Sequence, residues 1–455
     1  MQKKELKASL TDGNILLQLV SLAIPMSFGV FSIIGFNLVD TFFVGQLGSL
    51  ELAAMAFTFP IPMLVGSISF GIGTSTASFT AQAIGAGRVE EVKQYTSYSL
   101  LLAVVIVCLV AVVGYSTIDW QFRLMGADDK VLPLIREYME IWYLCTPFTV
   151  IPMVGNNIMR SLGDTKNPAK IMAVAGIVNI ILDPILIFGF GPIDPMRLKG
   201  AAIATMISRV FTLFASLYIL HSKYGVIKNP FKNFKELWKS WTDIIWLAIP
   251  ATCTNIVSPL SMAVVTRMVS NYGNKVVAGF GVGTRIESFM TILLIGLSVS
   301  LGPFVGQNFG AKNFERINKA IRYANIFPII WALICFVVMY FFSDRISALF
   351  NDDPDVMSAA RSYLLIITIG IIGNGILLNI VNVFNVIKRP KVSLIANAFK
   401  MFIIYLPYAF ILRGTYHEFG IYYAGLAAHL VTGFFAYIYL KKTFKSIAEN
   451  QGVNS

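Results

Sequence analysis

Charge is what this chain has least of. Only 13% of its residues are charged and 56% are hydrophobic, whereas a water-soluble domain carries about 25% charged residues. So little charge cannot cover a surface that faces water on all sides, which excludes an ordinary soluble globular protein. Histidines number three and cysteines four. His221, His417 and His429 form no ligand cluster. Cys108, Cys145, Cys253 and Cys335 stand singly in apolar stretches without metal or redox spacing, so they read as small core residues. There is no nucleophile–base pair, metal motif or nucleotide-binding loop, so an enzyme, such as a membrane-embedded acyltransferase, is a remote alternative. The opening MQKKELKASLTDGN lacks a signal-peptide pattern, and the apolar segment from Ile15 is too long for a cleaved h-region, so it is expected to be retained.

What the chain has instead is long apolar runs, such as 326–342 and 366–386. A span of about twenty residues crosses a hydrocarbon core of about 30 Å. On that measure twelve helices are expected, near 14–43, 50–82, 93–116, 131–155, 168–190, 200–222, 241–270, 276–306, 317–342, 358–386, 392–413 and 420–440. Glycine is plentiful, which suits close helix packing in lipid. The loops after the even-numbered segments, with the termini, hold most lysines and arginines, among them Arg88, Lys93, Arg160, Lys223, Lys228, Lys312, Arg316, Lys388 and Lys441. The opposite loops hold few, and carry Asp128, Asp129, Asp352, Asp353 and Asp355. The excess of basic residues puts both termini in the cytoplasm of a multi-pass plasma-membrane (inner-membrane) protein. It also accounts for the net charge of +12 without a nucleic-acid partner.

The sequence repeats. With a shift of 225, Pro25 falls on Pro250, Gly48 on Gly273, Gly71 on Gly296 and Gln82 on Gln307. AQAIGAGRVEEV then matches GQNFGAKNFERI, and farther on Asn157 and Pro168 match Asn379 and Pro390 with a shift of 222. Six helices per repeat is an even number, so the halves share one orientation and are related by an axis along the membrane normal. The expected fold is therefore an all-α polytopic membrane protein of two six-helix bundles. The expected lobes are 1–222 and 241–455, joined by a basic cytoplasmic linker at 223–240. Paired lobes suit a carrier that rocks about a central site.

Charge reappears where it is costly. Asp40 lies in GFNLVDTFFVG and Asp183 in IVNIILDPILIF, and a charge at the bilayer centre costs at least about 2.5–3.5 kcal/mol. Asn179 precedes Asp183 by four residues and shares its helix face. Pro184 removes a backbone donor there. The repeat equivalents of the two acids are Val265 and Tyr405, so the fold does not need acids at those places. Two ionised carboxylates close together are unfavourable, and a proton or Na⁺ resolves this. Such a site can load a cation on one side and release it on the other. One charge crossing the potential yields about 2.3 kcal/mol per 100 mV. The second half has its own polar residues, including Asn255, Arg285, Glu287, Asn374, Asn379, Lys400 and His429. Arg285 and Glu287 are too close in sequence to face each other, so either is open to pairing with Lys400 or with another helix.

Over nearly its whole length the chain resembles the multidrug and toxic compound extrusion family of antiporters. The resemblance is carried by NLVDTFFVGQLG, SLGDTKNPAK, VNIILDPILIFG and KGAAIATMIS in the first half, and by GQNFGAKN and VIKRPK in the second. It implies export of small amphipathic, often cationic compounds in exchange for inward H⁺ or Na⁺, with no cofactor and no partner beyond substrate and membrane lipid, by a monomer. It resembles the branch whose cation site lies in the N-terminal half, where Asp40, Asn179, Asp183 and Thr205 match the coupling residues and the Na⁺ ligands. Tyr138, Asn156 and Asn157 match polar groups near that site. The other branch has acids where this chain has Asn255 and Asn374. Asn37 and Met63 are further lining positions in the first half, Met63 because methionine adapts its shape to varied ligands. In the second half the lining positions are Arg285, Glu287 and Lys400. Arg285 and Lys400 are unusual for a cavity that takes cationic drugs and favour zwitterionic, anionic or lipid-like substrates. A flippase of lipid-linked or polyprenyl precursors is the main alternative.

Overall fold

A computed structural model describes residues 6–450. Among them the chain is all-helical, with one isolated bridge between Phe190 and Ile193 in a connection. Twelve segments carry it: α1 Ile15–Gly45, α2 Ser49–Gly85, α3 Val89–Ser116, α4 Leu132–Ser161, α5 Lys166–Phe188, α6 Arg197–Tyr224, α7 Phe234–Tyr272, α8 Asn274–Gly310, α9 Phe314–Ala348, α10 Pro354–Val386, α11 at 390–416 and α12 at 418–450. The all-α, twelve-helix expectation is borne out. Ten stretches among the described residues are long and apolar enough to cross a membrane. The tenth of these holds α11 and α12 together. No loop separates the two, only a break in the backbone at His417, where φ is 52°. α4 falls outside the ten because Pro147, Pro152, Asn156 and Asn157 dilute its apolar residues.

Apolar side chains point two ways, as a lipid solvent demands. Leu109 and Val112 on α3 and Leu333 and Phe341 on α9 are exposed, while α8 and α10 are mostly covered.

The chain divides into two units, and the division cuts two helices. One unit takes in Met1–Ser9 and Phe28–Thr252, the other Leu10–Ser27 and Cys253–Ser455. The start of α1 thus packs in the second unit and the start of α7 in the first. The cuts are repeat equivalents, just after Pro25 and Pro250.

In the first unit α4 is central and packs against α2, α3 and α6. One core gathers Val65, Leu102, Val154, Ile158 and Leu220 with Ile244 and Leu247 of α7. A second, around Phe122, Ile135, Met139 and Ile187, closes the other end. In the second unit α10, the equivalent of α4, packs against α8, α9 and α12. Leu19 and Leu22 of α1 join Leu301, Phe304 and Phe384 in its core. Two glycines allow the exchanged helix starts to fit. A Cβ on Gly71 would overlap Thr252 Oγ1, and a Cβ on Gly296 would overlap Ser27 Oγ. Both the glycines and the hydroxyl residues are equivalent under the shift of 225.

The turns that follow α2 and α8 share one hydrogen-bond pattern. Gly87 N–H donates to Ile84 O at 3.0 Å and Arg88 N–H to Ala83 O at 2.8 Å, while Lys312 N–H donates to Phe309 O at 3.2 Å and Asn313 N–H to Asn308 O at 2.8 Å. Gly87 takes φ 73° and Lys312 takes φ 60°. The turns after α4 and α10 repeat the contrast, with Gly163 at φ 82° and Lys388 at φ 62°. A residue with a Cβ in this left-handed region costs roughly 1–2 kcal/mol relative to the right-handed one. At these two turns the second unit bears that strain with a lysine where the first has a glycine.

Candidate functional site

Four helices of the first unit bring the intramembrane acids together. Asp40 lies near the end of α1 and is buried, and Asp183 on α5 is fully buried. Asn179, one turn before Asp183, is fully buried as well. Its amide has two settings. In one, the nitrogen donates to Thr205 Oγ1 of α6 at 3.4 Å. In the other, the nitrogen donates to Asp183 Oδ2 at 2.9 Å and the oxygen accepts from the Thr205 N–H at 3.3 Å. The second setting satisfies both ends of the amide. Pro184 has no N–H to give the Ile180 carbonyl, which loses its helical donor.

The acids themselves are short of partners. Oδ1 of Asp40 and Oδ1 of Asp183 are buried without a hydrogen bond. The two carboxylates lie within electrostatic reach of each other, and Tyr138 of α4 senses both. Unsatisfied carboxylate oxygens away from water are expensive, and a proton or a bound cation relieves that cost.

Arg209, absent from the sequence-based set, belongs to this group. It follows Thr205 by one turn of α6, its guanidinium stands 5.7 Å from the centre of the buried Phe36 ring, and its charge acts on Asp40. No ion pair within reach joins it to a carboxylate among the described residues. The signal was present as an arginine in the apolar run TMISRVFTL, which by itself marks an intramembrane site. The ionisable balance of the group is two acids against one base, so one monovalent cation brings it to neutrality.

Asp40, Asn179, Asp183, Thr205 and Tyr138 are thus brought together. Asn157 is engaged elsewhere. Its amide nitrogen donates to Met153 O at 2.9 Å, and its oxygen accepts from Arg160 at 2.6 Å. Asn156 Oδ1 is buried without a partner. Asn37 and Met63 are exposed.

The second unit holds a different polar group. Tyr363 of α10 donates its hydroxyl to Glu287 Oε2 of α8 at 2.6 Å. Glu287 and Lys400 act on each other electrostatically, yet Lys400 forms no ion pair or hydrogen bond among the described residues. Arg285 is exposed. Lys400 and Tyr405 sit on a π-helical stretch of α11, Phe399–Tyr405, a distortion that recurs at functional sites. Around it the hydroxyl of Tyr422 and Nδ1 of His429 are buried without partners. Sequence reading paired Lys400 with a neighbouring acid as one option, but tyrosine holds that acid instead.

Outside the membrane segments, between α4 and α5, Asp164 forms a clamp. It accepts from the Asn167 N–H at 3.0 Å, from Lys223 Nζ at 3.0 Å and from Tyr224 OH at 2.5 Å. Burial alone would raise its carboxyl, but these bonds, with a further one from the Asn167 amide, hold it below the usual carboxylate value.

A two-unit, twelve-helix membrane protein with unpaired charges within the membrane segments of each unit is built as a transporter. A model of the MatE family matches residues 25–185 and 250–411. The chain belongs to this family, the multidrug and toxic compound extrusion transporters, whose members are transporters and not enzymes. It is 36% identical over 391 residues, 86% of either chain, to a protein of Shewanella oneidensis named FAD transporter. It is 28% identical over 338 residues, 72% of either chain, to the probable multidrug resistance protein YoeA of Bacillus subtilis. The Vibrio cholerae MATE transporter VcmN in its bent form superposes with a TM-score of 0.90 at 29% identity, covering 95% of this chain and 98% of that one.

Proposed function

We propose that this protein exports amphipathic compounds bearing an anionic group, in exchange for inward H⁺ or Na⁺, across the plasma membrane. Flavin adenine dinucleotide is the first substrate to test. The coupling half of the reading is carried by one observation, the two buried carboxylates of the first unit with an unsatisfied oxygen on each. Asp40 and Asp183 take up the cation. Asn179 and Thr205 orient Asp183 and offer further oxygen ligands, and Arg209 sets the charge of the group so that a single cation suffices. Tyr138 caps the acids from α4. Amide, hydroxyl and carboxylate oxygens serve Na⁺ and H⁺ alike.

The substrate half rests on the second unit. Lys400 is a cation with no carboxylate against it, in a polar group that includes Tyr405, Tyr422 and His429, with donors to spare for a phosphate or carboxylate. The Shewanella relative's name fits such a substrate, because a flavin dinucleotide joins an apolar ring to a charged pyrophosphate. The Bacillus relative's name favours a broader set of drugs, against which the bare lysine weighs.

In this reading both termini are cytoplasmic and the protein acts as a monomer. The transport cycle is a rocking of the two lobes, expected at 1–222 and 241–455 with the linker 223–240 and observed to exchange the starts of α1 and α7. Loading the acids from outside favours one arrangement, and anion binding near Lys400 favours the other.

Efflux of flavin adenine dinucleotide from loaded vesicles under imposed Na⁺ or H⁺ gradients tests this. Wild type is expected to accelerate efflux with one of the two gradients, and Asp40→Asn to lose the acceleration. Efflux indifferent to both gradients rules out antiport. Gradient-driven efflux of cationic dyes alone overturns the substrate reading.

A further inference from the structure

One end of the second unit encloses a cavity of about 1320 Å³. It is framed by residues 11–13, the turn between α8 and α9, and the last turns of α12. The loop charges assign this end to the cytoplasm in the reading above, and four membrane segments (α1, α8, α9 and α12) begin or end there, so the cavity lies at headgroup depth.

Its lining is basic. Lys312, Arg316, Arg322, Lys441 and Lys445 face two acids, Asp12 and Glu315. Both acids are engaged. Glu315 pairs with Lys319 at 2.5 Å, and Asp12 accepts from the Thr11 hydroxyl at 3.3 Å. Arg316 is structural in part, donating to Gly13 O at 2.8 Å and to Gln18 Oε1 at 3.2 Å, while its Nε stays buried without a partner. Lys441 lies 4.8 Å from the centre of the Tyr437 ring. Lys312 and Arg322 have no carboxylate against them among the described residues.

The fold does not ask for these cations. Under the shift of 225, Lys312, Arg316 and Arg322 correspond to Gly87, Glu91 and Ser97 of the first unit. The two turns share their hydrogen bonds, yet the second unit holds a strained lysine lining the cavity where the first holds a glycine. A residue kept against backbone preference, in the lining of a basic cavity, points to a ligand.

Beside the cations the lining includes the apolar Ile321, Leu440 and Phe444. One helical turn farther into the membrane, Ile326 follows Arg322 and Phe434 precedes Tyr437, and both are exposed. A soluble phosphate would use the cations and leave this apolar strip bare. A lipid uses both, with its phosphate in the cavity and its acyl chains along α9 and α12.

We propose that this cavity binds the phosphate headgroup of an anionic phospholipid, held by Lys312, Arg322 and Lys441. The site is separate from the intramembrane groups of either unit and does not depend on the transport reaction. Occupying it ties the start of α1 to α9 and α12 through one ligand.

The test is native mass spectrometry of the full-length protein, delipidated in neutral detergent and offered phosphatidylglycerol or phosphatidylcholine. Wild type is expected to retain phosphatidylglycerol with about 30- to 150-fold preference, in line with two or three basic contacts at the surface. Lys312→Gly/Arg322→Ser, which carries the first unit's residues, is expected to lose that preference while unfolding no earlier than wild type in phosphatidylcholine nanodiscs. Lys441→Ser, on another helix, is expected to lose part of it and guards against misfolding of the double variant. Equal retention by wild type and variants overturns the proposal. So does a wild type that binds inorganic pyrophosphate but shows no preference between the two lipids, since the site then serves a soluble phosphate.

Discussion

The two halves share a backbone and differ in where they keep their charges. The first unit places two acids and one arginine inside its bundle and puts glycine at the left-handed positions after α2 and α4. The second places a lysine and a tyrosine-bound glutamate inside, and puts lysine at the equivalent positions. Where the halves agree, as at Gly71 with Thr252 and Gly296 with Ser27, the residues serve packing. Where they disagree, the fold has been satisfied both ways, so the difference is free to serve function. Duplication thus supplies an internal control that a single-domain protein lacks.

The largest effect is expected from the acids. Asp40→Asn or Asp183→Asn should reduce gradient-driven transport about 100-fold or more, since roughly 2.7 kcal/mol of coupling is a hundredfold in rate. Val265→Asp in the same background should not restore it. Restoration would make the halves interchangeable and break the comparison. Next comes Lys400→Met, which should weaken binding of an anionic substrate about 10–100-fold by removing a charge-assisted contact of roughly 1.5–3 kcal/mol. Its dependence on the driving cation should be unchanged, as read from initial rates against cation concentration.

Two changes sharpen the comparison through stability. Gly71→Ala and Gly296→Ala should each destabilise the protein by about 1–3 kcal/mol through overpacking, and by similar amounts, as measured by thermal unfolding in detergent. Asp164→Asn should cost about 1–3 kcal/mol, because a clamped carboxylate leaves its donors unpaired when removed. The clamp also sets a pH dependence. Its carboxyl is held below the usual value when folded, so its contribution is full above an unfolded carboxyl pKa of about 4 and is lost as pH falls below that. Wild type should therefore lose its advantage over Asp164→Asn on acidification.

The smallest effect has the opposite sign. Lys388→Gly should stabilise the second unit by about 1 kcal/mol or less, strain relief being partly offset by the entropy of glycine. Gly163→Lys should do the reverse in the first.

Much of this was legible in the sequence. Apolar run length gave the segments, because a bilayer sets a span that hydropathy reads directly. α4 was placed by its span despite its polar residues. The acids stood out because lipid makes any charge conspicuous, Asn179 came with them by helix spacing, and Thr205 came from the family resemblance. Arg209 stood out no less, but attention to carboxylates passed over a base in the same lobe. The exchange of helix starts at Pro25 and Pro250 was not legible, since hydropathy reports that a helix is covered and not by what. Nor was the Glu287 contact, because the choice between Lys400 and Tyr363 depends on a hydroxyl reaching across from α10.

The central claim is that coupling resides in the first unit and anion recognition in the second. Equilibrium binding of the proposed substrate, followed by its fluorescence beside gradient-driven efflux of the same Asp40→Asn preparation, tests it most directly. The account predicts binding within about twofold of wild type, a shift of roughly 0.4 kcal/mol, together with loss of driven efflux. An Asp40→Asn protein that fails to bind the substrate, or that still responds to the cation gradient, would contradict it.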